Sequence, residues 1–295
     1  MMQRTSPIAA LFAWLALMIT GARGEDEGNS AAEIAKELAN PNTPLSSLNF
    51  KHQFRFYDGD LPGAGDEWNY SLIFQPTFPF KLKNDDLLIW RPAIPFVIES
   101  PVPFVSRLPA TGLEDLEIDF DGETGLGDIG FDLAYAKTTD TGFLSAIGLF
   151  TSLPTATSDL LGTGRWAIGP ELLIGKQTDT AVFGLFPNHI WDIAGWGDNT
   201  INVTTIQAFA TLLPGGGWNI GTAPIMTYNW ENEQWTIPIN LNVGKTVVLG
   251  GTPWKIGLEA NYYVERPGAF AAEWMVGINI SPVIKNPLAR LFGAD

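Results

Sequence analysis

The sequence predicts an all-β protein: an antiparallel transmembrane β-barrel of about 12 strands with one short N-terminal helix. Three observations carry this expectation. Apolar and polar residues alternate almost without pause from Leu48 to Ile284, the period of a strand with two unlike faces. The connectors are short at 83–86, 138–141, 176–180, 214–217 and 249–253, and mostly longer at 58–67, 103–124, 154–164, 194–199 and 229–234. Trp68, Trp90, Trp166, Trp191, Trp196, Trp218, Trp230, Trp235, Trp254 and Trp274 nearly all fall at strand ends. Alternation alone suits a soluble sandwich equally well. Short turns at one end, longer loops at the other and aromatic girdles at the headgroup levels belong to bacterial barrels.

Taken in order, residues 1–24 read as a signal peptide. Arg4 supplies the positive region, Ile8 to Thr20 is an apolar run, and Ala22-Arg23-Gly24 precedes an expected cleavage before Glu25. Residues 25–45 form a periplasmic leader. Ser30-Ala-Ala-Glu33 has capping-box spacing, Ala31, Ile34, Ala35 and Leu38 share one helical face, and Asn40-Pro41 stops the helix. A helix over 30–39 could plug or gate one mouth, or simply rest on a rim.

Residues 46–295 form the barrel. Leu48, Phe50, Phe54 and Phe56 oppose Asn49, Lys51, Gln53 and Arg55; Tyr70, Leu72 and Phe74 oppose Asn69, Ser71 and Gln75. Leu88, Trp90, Ile94 and Ile98 oppose Arg91, Ala93 and Glu99, and a long acidic loop is expected over 103–124. Ile129, Phe131 and Leu133 oppose Asp128, Gly130 and Asp132, and further strands are expected over 143–153, 165–175, 181–193, 200–213 and 218–230. The hairpin from Trp235 to Arg266 alternates most regularly, and the last strand covers roughly 272–284. With both termini periplasmic, every short connector except Arg266-Pro-Gly-Ala269 falls on the periplasmic side. Prolines 76, 79, 92, 95, 170, 187, 224 and 238 lie inside these strands, where proline normally marks an edge or bulge. They imply bulges in the wall or segments that run in the lumen.

Composition narrows the function. The 295 residues hold 17 Lys and Arg against 32 Asp and Glu, a net charge of −15 that grows more negative once Arg4 and Arg23 are cleaved away. Such a chain is a poor nucleic-acid binder. The absence of cysteine removes disulfides, thiolate nucleophiles and Cys-based metal sites. The two histidines, His52 and His189, fall with the outward apolar residues, without a paired Ser and acid. Neither a catalytic residue nor a cofactor is expected. The acids Glu114, Asp115, Glu117, Asp119, Asp121 and Glu123 crowd one loop without a full calcium-loop pattern.

Parity turns Lys51, Arg55, Arg91, Arg165 and Lys255 inward, with Glu99, Asp128, Asp132, Glu171, Glu259, Glu265 and Glu273. Charge facing lipid is costly, so inward placement is expected whether or not anything passes. These twelve are the candidate lumen-lining residues, and the excess of acids would mildly favour cations or neutral solutes.

The chain also resembles the meta-pathway phenol-degradation family of outer-membrane β-barrel proteins, whose members are often labelled transporters. Matching pieces include Ser30 to Pro41, Phe74-Gln-Pro76, Arg91-Pro-Ala-Ile-Pro95, Gly125-Leu-Gly-Asp128, Gly162-Thr-Gly164, Gly169-Pro170, Gly244-Lys245 and Lys255 to Tyr263. The resemblance implies an outer-membrane barrel in which strand prolines are a family habit; it carries over no binding residues. The expected function is passive uptake or diffusion of small solutes, with hydrophobic or aromatic compounds as candidates. The alternative is a non-conducting structural or adhesion barrel that acts through its extracellular loops. Expected partners are outer-membrane lipid, lipopolysaccharide and a small-molecule solute.

Overall fold

The computed structural model describes residues 25–107, 116–198 and 200–292. The signal-peptide expectation for 1–24 and the acids Glu114 and Asp115 lie outside the described residues. A helix, α1 (Glu25–Ala39), precedes fourteen strand segments. They are β1 (Ser46–Asp58), β2 (Trp68–Lys81), β3 (Leu87–Arg107), β4 (Leu116–Leu126), β5 (Ile129–Thr138), β6 (Phe143–Leu153) and β7 (Arg165–Gln177). Then come β8 (Ala181–Gly195), β9 (Asn202–Gly215), β10 (Trp218–Thr222), β11 (Ile225–Asn229), β12 (Gln234–Leu249), β13 (Thr252–Glu265) and β14 (Ala271–Ile284).

Every pairing is antiparallel, and the ladder returns on itself. β1 pairs β2 and β14, β14 pairs β13, and β13 pairs β12. β12 then meets β10 and β11, which both pair β9. β10 and β11 are thus one wall strand, broken at Ala223-Pro224. β4 and β5 likewise run end to end along β3, broken at Gly127-Asp128. The wall is a closed barrel of 12 strands. Closure gives every wall strand a partner on both sides, the condition for crossing lipid without orphaned backbone groups. No helix among the described residues is long and apolar enough to cross a membrane.

The outside is apolar. Leu133, Ile147, Leu149, Leu172, Ile174, Phe183, Leu185, Ile239 and Leu241 are all exposed. Trp68, Trp166, Trp191, Trp230, Trp235 and Trp274 ring the end with the longer loops, the loop end. Trp274 packs on Tyr262 at 4.7 Å between ring centroids and Trp235 on Tyr228 at 4.9 Å. This is the girdle that the tryptophan positions predicted. Helix α1 lies at the opposite end, the turn end.

Three expectations change. The acidic loop over 103–124 is mostly strand: β3 continues to Arg107 and pairs β4 from Leu116, forming a hairpin that extends past β5. Its Phe104 and Val105 are exposed, and Phe120 stacks near Phe270 of the β13–β14 loop at 5.0 Å. Val and Phe alternating with acids were there to be read as strand, but charge density suggested loop. Helix α1 also begins five residues before Ser30, so Ser30-Ala-Ala-Glu33 lies inside it rather than at its start.

Third, the prolines stay in the wall. The β2–β3 ladder has a gap between the pairs Phe74↔Ile94 and Phe78↔Trp90, across Pro76 and Pro92. The β7–β8 ladder has one between Ile168↔Trp191 and Glu171↔Asn188, across Pro170. Pro238 adjoins a register shift. A proline removes one donor, and the wall accommodates it by skipping pairs locally.

Ile147 sits mid-strand on β6 and is 62% exposed on the outer face. Ile147→Arg is expected to lower unfolding stability by about 2–4 kcal/mol, the cost of a cation at the bilayer midplane. Urea titration in lipid vesicles measures it; an unchanged midpoint would mean that this face does not meet lipid.

Candidate functional site

The interior has two unlike regions. Near the turn end the inward face is apolar. Leu87, Ile89 and Ala136 form one buried cluster and Leu144, Leu173 and Val182 another, joined by Ala146, Phe186, Phe209 and Leu213. Alternation does not distinguish this small internal core from a polar lumen, because both faces of β6 to β8 carry apolar residues there.

Helix α1 docks on this region. Ala39 packs on the Leu144 cluster, and Ala31 and Ala35 are buried. The helix lies along β9, β10, β12 and β13. Its end is held by polar contacts to the short turns. Lys36 Nζ pairs with Asp179 Oδ1 at 2.8 Å, and Asn40 Nδ2 donates to Gln177 Oε1 at 3.0 Å. Asn42 Nδ2 donates to the carbonyls of Lys137 and Ser145 at 3.0 and 3.1 Å. Lys36 lies in the last helical turn, where a cation complements the helix dipole. Its ammonium holds the Asp179 carboxyl below the usual carboxylate range, whereas burial pushes Glu37 up. Gly217, at φ +80°, permits the approach: a Cβ there would lie 2.3 Å from the Thr246 carbonyl oxygen and 3.4 Å from Ala31 Cβ. A groove of about 190 Å³ remains between α1 and the barrel, lined in part by Glu33, Asp179, Leu213 and Trp218.

Above the apolar region six of the twelve predicted inward charges come together. Arg91 Nε donates to both Asp132 oxygens, at 2.8 and 2.6 Å. Arg91 Nη2 is 4.0 Å from Glu171 Oε1, and its guanidinium lies over the Phe186 ring at 5.0 Å. Asp132 is 6% and Glu171 3% exposed. Lys51 lies within electrostatic range of Asp132, Arg91 and Glu259, and Lys255 within range of Lys51. Glu259 accepts from Asn240 and Asn261 at 3.0 and 3.1 Å and from Asn279 at 3.4 Å.

The other six lie nearer the loop end, most with local partners. Arg55 donates to Gln53 at 2.6 Å. Glu99 lies beside Gly122 of β4. Arg165 is 3.5 Å from Asp192. Gln234 donates to Glu265 at 3.4 Å, and Arg266 bridges Glu273 and Asp58 at 3.4 and 2.9 Å. Asp128 accepts from the amides of Thr155, Ala156 and Thr163 and from the Thr163 hydroxyl, which makes it the organiser of loop 154–164.

Asn240, Asn261 and Asn279 share the polar faces of their strands by parity, and only the register shows them converging on Glu259. Each histidine makes one side-chain hydrogen bond among the described residues, His52 to Tyr70 Oη and His189 to Thr204 Oγ1, each at 2.8 Å, and His189 also packs on Trp191. No group of three or more His, Cys, Asp or Glu among the described residues is placed to hold a metal ion.

The closed wall, apolar belt and polar interior define a transmembrane β-barrel protein. The sequence matches no protein-family model and no curated protein. Among solved structures it is similar to a COG4313 outer membrane channel from Pseudomonas putida F1, at 11% identity and TM-score 0.59, over 81% of this chain and 94% of that one. It also aligns with the NanC porin, at 10% identity and TM-score 0.45, over 81% of this chain and 99% of that one. For the CymD monoaromatic hydrocarbon channel the values are 9% and 0.40, over 87% and 92%. The first establishes a shared fold; the other two are too distant to carry an argument.

Arg91 is the only cation within 4.0 Å of Asp132 or Glu171 among the described residues. Removing one partner of a buried pair leaves an uncompensated charge, so Arg91→Gln is expected to cost about 3–5 kcal/mol of stability. Asp132→Asn on that background should recover part of it. Urea unfolding of the refolded barrel measures both; a neutral Arg91→Gln would show that the cluster is hydrated and does not depend on the pair.

Proposed function

We propose that this protein is an outer-membrane channel for passive diffusion of small solutes, reached after removal of a signal peptide near Gly24. The observation that carries the reading is a closed wall whose interior holds a polar, charged middle, with a small buried apolar core and a short, non-covalently docked helix at one end. A barrel serving only as a wall element or anchor has no use for a helix latched by one ion pair and a few side-chain amides. Diffusion needs no stored energy: width and charge select the solute, and α1 gates the periplasmic mouth. Hydrophobic or aromatic solutes fit the family resemblance and the apolar turn-end interior. Lipid and lipopolysaccharide are the proposed surroundings.

The β3–β4 hairpin favours one second reading. It projects beyond the β3–β5 ladder with Phe104 and Val105 exposed, a shape suited to adhesion.

Single-channel recording in a planar bilayer separates the two. The refolded chain from residue 25 is expected to open, and the same chain without residues 25–45 to stay open for longer. Heat-modifiable gel mobility confirms that each is folded. Silence from both folded forms would overturn the channel and leave the adhesion reading.

A further inference from the structure

The charges in the middle of the barrel are compensated unevenly. Asp132 and Glu171 face Arg91, and Glu259 is bonded by three asparagine amides. Lys51 and Lys255 have no hydrogen-bond acceptor and no acid within 4.0 Å among the described residues. They stand on β1 and β13 with β14 between them. Lys51 is opposite Asn279, which is opposite Gly257, and Lys255 is opposite Ser281. Gly257, which lies between Asn279 and Gly244, adds no side chain to this inner face.

The neighbouring strands add orphaned polar groups. Among the described residues, the hydroxyl of Thr246, which is opposite Lys255 and 1% exposed, has no partner. Nor, among them, has the amide nitrogen of Asn219 on β10, which is 3% exposed and opposite Gly244, two residues along β12. A buried donor without an acceptor is costly and calls for an explanation. Here two such groups share a face with an uncompensated ammonium.

We propose that Lys51, Lys255, Thr246 and Asn219 form an anion-binding site inside the barrel, which takes a solute bearing a single carboxylate. The six clustered charges balance overall, but Arg91 pairs with Asp132 and Glu171 and three asparagine amides hold Glu259, so a carboxylate supplies the acceptor that the two ammoniums lack. Its two oxygens can meet both an ammonium and a neutral donor, the charge-assisted arrangement that makes such bonds strong. The site favours anions although the chain is acidic, because the inward acids nearest it, Asp132 and Glu259, are held by Arg91 and by asparagine amides. This refines the channel reading and rests on it for its biological meaning, but the binding itself does not depend on passage.

Isothermal titration of the refolded protein in detergent micelles tests the site with two probes of one shape, benzoate and benzamide. Benzoate is expected to bind at least about tenfold more tightly. Lys51→Gln with Lys255→Gln should abolish that preference, Lys51→Arg with Lys255→Arg should keep it, and Lys81→Gln, exposed at the turn end of β2, should leave it unchanged. Gel mobility again confirms folding. Equal affinity for the two probes, no benzoate binding, or an unaltered preference in the double Gln variant would each overturn the site. Benzoate binding by a protein silent in bilayers would overturn the channel and spare the site.

Discussion

The structure depends on the closure of one hydrogen-bonded ladder. In a lipid environment an unpaired backbone N–H or C=O has no water to turn to, so a sheet crosses only by returning to its first strand. Here the circle runs through β12, β13, β14 and β1 and comes back through β9 to β11. Closure decides the rest of the chemistry. It turns one face of every strand to lipid, as the exposed Ile147, Leu172 and Ile239 show, and confines the charged residues to the other. Strand prolines locate the places where the ladder tolerates missing pairs.

Confined charge must then be compensated in a small space. Arg91 serves two buried acids and an aromatic ring at once, and amide side chains serve Glu259. The apolar patch below them gives α1 a surface to dock on. The helix is too short to be stable by propensity alone, and the barrel supplies the packing it lacks. Its hold is modest: alanine contacts, one ion pair exposed on the Asp179 side, and a few amide bonds. That balance suits a part that stays docked at rest and can still leave.

Much of this was legible in the sequence, because a barrel wall is governed by parity. The barrel of about 12 strands and the tryptophan girdle follow from side chains that alternate with period two, and the same parity supplies the twelve inward candidates from Lys51 to Glu273 as an expectation. What parity misses is depth. It cannot distinguish Asp128, which ties down a loop, from Asp132, which sits in a buried pair four residues on. Nor does it separate an apolar inward face, such as Leu144 and Leu173, from the lipid-facing one. In the β3–β4 hairpin the density of acids masks the alternation of Val105, Ile118 and Phe120. Partnering is a matter of cross-strand register, so the orphaned Thr246 and Asn219 emerge only from the folded wall.

In the proposed channel, α1 closes the barrel by docking and opens it by leaving. Because the chain contains no cysteine, Lys36→Cys and Asp179→Cys create one unique pair, which a short bis-maleimide can bridge. Bilayer recording of this variant before and after bridging is the most direct test. Bridged barrels should fall nearly silent, while barrels capped with a monofunctional maleimide keep opening. Equal conductance in the bridged and capped forms would contradict the gate and place any solute path clear of the helix.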